Sequence, residues 1–262
     1  MRAVRHHTDC KWVLLYIERW LKAPVSMPDG TLVSRERGSP QGSVVSPMLA
    51  NLFLHYAFDC WMQREHPDIP FERYADDAIC HCRSEAQAQK LRRALEQRFA
   101  ECGLQLHPQK TKVIYCQDAK RRGAYPERSF DFLGYTFRPR SSRSREGRRF
   151  VSFLPAVSKQ AAIRMRQRVR RWRLHLRSDL KLEEIATWVR PVLSGWMRYY
   201  GRFYPSKLRG ELRTIDAVIV RWAMRKYKRF RRRLLVTWKW LHALQRRNPQ
   251  LFAHWRPEPV AG

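Results

Sequence analysis

The stretch RYADDAIC, residues 73–80, sets two carboxylates side by side, Asp76 and Asp77, in a chain whose formal net charge is +30. Adjacent acids repel. A divalent cation removes that conflict. Mg2+ prefers one or two carboxylates plus substrate phosphate oxygens to an all-protein cage. Two such ions can hold the attacking and the leaving oxygen of a phosphoryl transfer. An acidic spot on a basic protein therefore points to chemistry at nucleic-acid phosphates, with Asp76 and Asp77 as metal ligands. An ADD turn is also commonplace on surfaces, so the weight falls on its surroundings.

PFERYADDAICHC alternates as two short strands around a tight turn with the acids at its tip. Successive strand side chains face opposite ways, and the bend of a tight turn lets both acids reach toward one site. Ahead of it, residues 12–22 read as a helix with Val13, Ile17 and Trp20/Leu21 on one face and Pro24 as a stop. MPDGT is a turn between strands near 24–27 and 31–36. RGSPQGSVVSPMLANLFLHYAFDCW is a loop and then a long helix, with Ser46–Pro47 as N-cap and first turn. Val45, Met48/Leu49, Leu52/Phe53 and Tyr56 form its buried stripe.

Behind the acids, Ser84 and Gln87 make a capping box for a helix carrying Ala88, Leu91, Leu95, Phe99 and Cys102, which Gly103 ends. LQLHPQKTKVIY returns to strand character. RSFDFLGYTFRPRSSRSREGRRFVSFLP reads as a hairpin with a long, arginine-laden tip. From Ser158 onward every segment is helical. The first helix places Ala162, Met165, Val169, Trp172 and Leu176 on one side and Arg164, Arg168 and Arg171 on the other. A second region, 182–200, is interrupted at Pro191; a third covers about 211–230 with Leu212, Ile215, Ile219 and Trp222, and a last covers 234–247. The natural boundary lies near 155–158, and no internal repeat is visible.

The charge is unevenly spread. Residues 1–116 carry 16 Lys+Arg against 13 Asp+Glu, whereas residues 117–262 carry 37 against 10. The second region is a polycation dominated by arginine, whose planar fork suits phosphate, so nucleic acid is the first candidate partner. With 44% hydrophobic residues and ten Trp, the chain can bury a core. Its apolar runs fall well short of the roughly 20 residues a membrane span needs, and the N-terminus lacks a signal-type apolar segment, which places the chain in the cytoplasm and off the membrane. The six cysteines show no metal or disulfide spacing; Cys80 and Cys82, on one strand face, suit packing as reduced thiols.

YADD in a strand–turn–strand resembles the catalytic hairpin of reverse transcriptases. GSPQGSVVSPMLANLFLH ahead of it, GLQLHPQKTKVIY behind it and FDFLGYTF further on are similar, in order and separation, to that family's template-facing loop and helix, next palm element and primer-grip hairpin. VRPVLSGWMRYYGRFYPS, with RKYKRFRRR and PQLFAHW, is similar to the maturase segment of group II intron-encoded proteins. The resemblance implies an α+β fold: a partial reverse-transcriptase palm, an antiparallel sheet packed on helices, at 1–116; a primer-grip hairpin and connection at 117–157; and an all-α thumb/maturase domain at 158–262.

Residue by residue, the resemblance implies that Asp76 and Asp77 are catalytic Mg2+ ligands. Tyr74 and Ala75 would lie along the primer terminus and nucleotide. Pro40, Gln41 and Gly42 would meet the template base pair, where glycine permits close backbone approach, and Lys110 the triphosphate. Leu133, Gly134 and Tyr135 would grip the primer end. Arg164, Arg168 and Arg171 would track the RNA–DNA backbone, and Arg198, Arg202, Lys226, Lys228 and Arg229 would bind intron RNA. The implied activity is RNA-templated DNA synthesis from deoxynucleoside triphosphates, with promotion of intron splicing and mobility.

The chain departs from the family in one respect. Reverse transcriptases use three metal-binding acids, the third on an earlier strand; here Asp9 stands in a polar context and Asp29 in a turn. The expectation is a truncated portion, with impaired or no polymerase activity alone, that works with the missing N-terminal part or a second copy. The rival is a non-enzymatic RNA-binding maturase remnant in which both acids are relics.

Overall fold

A computed structural model describes residues 1–34, 38, 42–121, 123–144 and 146–255. Among these residues helices are mixed with three small antiparallel sheets. The chain divides into two compact units, Met1–Val113 and Ile114–Gly262. No helix among the described residues is long and apolar enough to cross a membrane.

In the first unit, α1 (Arg2–His7) and α2 (Lys11–Lys22) precede a two-stranded ribbon of β1 (Val25–Ser26) and β2 (Leu32–Val33). Its turn is held by Asp29, which accepts from both the amide and the hydroxyl of Thr31, as an Asx turn does. The long helix begins at Ser46 itself, with Val45 at its N-cap, as α3 (Ser46–Leu54). It then widens into one π turn, His55–Asp59, and continues as α4 (Cys60–Glu65). The stripe expected to be buried differs: Met48 and Phe53 are 62% and 43% exposed. Periodicity marks an apolar face without deciding what covers it.

The core of this unit lies further on, where Phe58, Met62, Ile69 and Leu91 are buried and Phe71, Cys80, Cys82, Leu95 and Phe99 pack around them. Strands β3 (Phe71–Tyr74) and β4 (Asp77–Cys80) form the expected hairpin. Helix α5 (Glu85–Glu101) is capped by Ser84, and Gln87 Oε1 reaches back to the amide of Arg83, one residue before the cap. Residues 104–115 show strand alternation but form no strand. They turn at His107, whose carbonyl accepts from Lys110 and Thr111, because alternation sets faces and supplies no ladder partner.

In the second unit, β5 (Phe130–Phe132), β6 (Tyr135–Arg143) and β7 (Arg149–Val157) form one sheet in sequence order. The β6–β7 arms are long and the connection short: pairing runs from Tyr135↔Val157 to Arg143↔Arg149, so most of the arginines expected in a tip sit on strands. Helices α6 (Lys159–Arg171), α7 (Leu182–Tyr200), α8 (Pro205–Lys226) and α9 (Leu234–Arg247) follow. They close on Met165, Val169, Leu174, Ile185, Leu193, Ile219, Trp222 and Leu241.

Two sequence expectations are corrected here. Helix α6 stops at Arg171 because Arg173 turns left-handed (φ 49°), so Leu174, not Leu176, enters the core. Helix α7 runs unbroken through Pro191. Pro191 and Thr187, whose carbonyl loses its donor, are both exposed, so water can satisfy that carbonyl while Ile185, Val189 and Leu193 pin the opposite face.

Candidate metal and nucleic-acid site

The two acids occupy the end of a hairpin with a two-residue loop, Ala75–Asp76, closed by the pair Tyr74↔Asp77. Ala75 lies at φ 54°, a left-handed conformation that hairpin loops usually give to glycine or asparagine. Phe71 and Arg73 point toward the helices, whereas Tyr74 and Asp77 share the opposite face. Tyr74, Ala75, Asp76 and Asp77 are all exposed. Among the described residues no hydrogen bond or ion pair engages either carboxylate.

What holds this turn is Arg73. Its Nε and Nη2 each donate to Asp59 at 2.6 Å, while Nη1 donates to Asn51 Oδ1 at 2.9 Å and to the Ala75 carbonyl at 2.8 Å. Burial raises the Asp59 carboxyl, but the fork and charge of Arg73 outweigh it and leave it below the usual carboxylate range. Bonding to Asp59 raises the Arg73 guanidinium in turn. Asp59 closes the π turn, whose carbonyls at Ala57 and Tyr56 accept from Arg98. Sequence reading missed this network. The one available signal was an Asp on a helix among few acids, since π turns leave no periodicity to detect.

Two exposed, unneutralised carboxylates fit the ligand set Mg2+ takes when phosphate and water complete its shell. Among the described residues no group of three or more His, Cys, Asp or Glu is placed to hold a metal. Gly42 is a left-handed turn residue (φ 91°); Pro40 and Gln41 lie outside the described residues. Lys110 is exposed in the turn after α5, with no bond to the hairpin.

In the second unit, Leu133 and Gly134 form the β5–β6 loop, both left-handed at φ 49° and 79°. Two groups clamp this loop and a third bond braces one of them. Tyr199 Oη donates to the Leu133 carbonyl at 2.9 Å, the Ser158 amide donates to the Gly134 carbonyl at 2.9 Å, and Tyr135 Oη donates to the Tyr199 carbonyl. Burial pushes the Tyr135 hydroxyl up to about 12, so it stays a donor. Arg164, Arg168 and Arg171 are exposed on α6, as are Arg198 and Arg202 beyond it. Lys228 is exposed, and Arg229 lies over the Phe230 ring at 4.6 Å. Lys226 differs: its Nζ donates to the carbonyls of Ser178 and Leu180, a structural tie between α8 and the turn before α7.

The chain belongs to the reverse transcriptase (RNA-dependent DNA polymerase) family, whose model matches residues 2–137. Residues 162–240 match the group II intron, maturase-specific domain. Together the two define a group II intron reverse transcriptase/maturase, which acts on nucleic acid in a family that generally uses divalent metal ions. No curated protein matches the chain.

Proposed function

We propose that the chain takes part in RNA-templated DNA synthesis and intron splicing in the cytoplasm, with residues 1–116 as the palm portion, 117–157 as primer-grip hairpin and connection, and 158–262 as thumb/maturase. Asp76 and Asp77 hold Mg2+, which when bound offsets phosphate charge and activates the primer 3′-oxygen. Tyr74 and Ala75 lie along the primer terminus and the incoming deoxynucleoside triphosphate, with Pro40, Gln41 and Gly42 at the template and Lys110 at the triphosphate. Leu133, Gly134 and Tyr135 grip the primer end. Arg164, Arg168 and Arg171 track the hybrid, and Arg198, Arg202, Lys228 and Arg229 bind intron RNA, with Lys226 contributing charge from its structural tie.

One observation carries this reading: in a chain of net charge +30, two adjacent carboxylates stand exposed at a hairpin tip with no partner among the described residues. With no third acid grouped beside them among the described residues, the chain alone extends primers little or not at all. A third carboxylate from outside the described residues completes the site, since rate depends on positioning. The test is RNA binding across a salt series, followed by primer extension with Mg2+. Steeply salt-dependent binding is expected, with extension appearing only when the third acid is supplied and vanishing in Asp76→Asn. Binding indifferent to salt overturns the RNA-binding half. Robust extension by the Asp76→Asn chain overturns the metal-ligand half.

A further inference from the structure

Between α6 and α7 lies a groove of about 340 Å³, within the size range of small-ligand clefts, about 300–1,000 Å³. Its two walls differ in chemistry. Helix α6 presents Arg164 and Arg168, one turn apart, and α7 presents Trp196 and Tyr200, also one turn apart, with Met165 and Val192 completing the lining. Two guanidiniums thus face two aromatic rings across an apolar floor.

The arrangement is held in place. Trp172 stacks on Trp196 at 6.1 Å between ring centroids and 22° between planes. A Cβ on Gly134 would meet the Tyr200 hydroxyl at 2.8 Å, so that ring lies close against the β5–β6 loop. Neighbouring Arg166 is neutralised by Glu211; no carboxylate pairs with Arg164 or Arg168 among the described residues. A guanidinium carries five N–H donors, so both arginines have donors to offer a phosphate.

We propose that this groove is a subsite for a single unstacked nucleotide of bound RNA, its base against Trp196 and Tyr200 and its phosphate on Arg164 and Arg168. This rests on the nucleic-acid reading above and goes beyond it. Tracking a duplex backbone needs only the arginines, whereas an aromatic wall opposite them serves a base taken out of its stack. Duplex RNA hides its base faces, so the subsite selects a single-stranded segment or a bulge.

The test uses the full chain and a short single-stranded oligoribonucleotide in which each position in turn is made abasic. One position should lose about 5- to 150-fold in affinity, the range set by base–aromatic stacking, and the others little. In Trp196→Leu that positional loss disappears while the salt dependence stays; Arg168→Ala weakens binding at every position and lowers the salt slope. Trp196 packs on the core, so Tyr200→Leu provides a second variant with the same expected loss of the abasic effect. Strong salt-dependent binding with no position sensitive to base removal overturns the subsite and leaves the general RNA reading standing. An abasic effect that persists in both Trp196→Leu and Tyr200→Leu places the base elsewhere and also overturns it. Absence of salt-dependent binding removes the underlying reading itself.

Discussion

Arg73 grips Asp59 with both arms of its guanidinium, each at 2.6 Å, and with a third nitrogen holds the carbonyl of Ala75, the residue before the paired acids. The side chains are 13% and 17% exposed, so the pair is largely withdrawn from water. Removing one partner leaves the other charge partly buried. Asp59→Asn or Arg73→Met should cost about 2–4 kcal/mol, somewhat under the range for a fully buried pair, and should speed amide exchange in β3 and β4. The Asp59 carboxyl is held below its ordinary value, so its contribution is fully present above the unfolded value and fades as pH falls through the folded one. Urea unfolding in acid solution should show that fading in the parent chain, and a flatter profile in Asp59→Asn.

Asp76 and Asp77 are exposed and form no ion pair or hydrogen bond among the described residues. Asp76→Asn and Asp77→Asn should therefore leave stability within about 0.5 kcal/mol of the parent, or raise it slightly by relieving like-charge repulsion. The same changes should weaken Mn2+ binding measured by water-proton relaxation. A substantial loss of stability would assign the acids a structural role instead.

Leu133 and Gly134 are both left-handed, yet only one is glycine. Gly134→Ala adds strain and drives a methyl to within 2.8 Å of Tyr200 Oη; a loss of about 1–3 kcal/mol is expected from urea midpoints. Leu133→Asn, better suited to the conformation, should be neutral or stabilising by up to about 1 kcal/mol while reducing nucleic-acid affinity. Strain retained at an exposed leucine (39% accessible) fits a residue kept for contact with a ligand.

Burial, with Cys82 and Glu72 nearby, pushes the Cys80 thiol up to about 12. Alkylation at pH 8 should label exposed Cys10 and spare Cys80, read by peptide mass mapping. Equal labelling would mean that β4 opens readily.

The positions of the elements were largely legible from pattern. Apolar spacing located α5, Ser158 located the start of α6, and the alternation around ADD located its hairpin, because these rest on short-range backbone chemistry. What failed had distant causes. The alternation of 104–115 found no ladder, Pro191 did not break α7, and Met48 and Phe53 remained uncovered, each decided by what the rest of the chain supplied.

The candidate site divides in the same way. The amino-acid order alone determined that two carboxylates sit adjacent at a bend and that arginine dominates the later half; covalent neighbours cannot be separated and composition does not depend on folding. Tertiary structure decided that Arg73 and Asp59 brace that bend, that Tyr199 and Tyr200 meet the Leu133–Gly134 loop, and that two arginines face two aromatic rings across a groove. Those pairings join residues from 14 to 66 positions apart, and only the packing of separate elements against one another brings such side chains together.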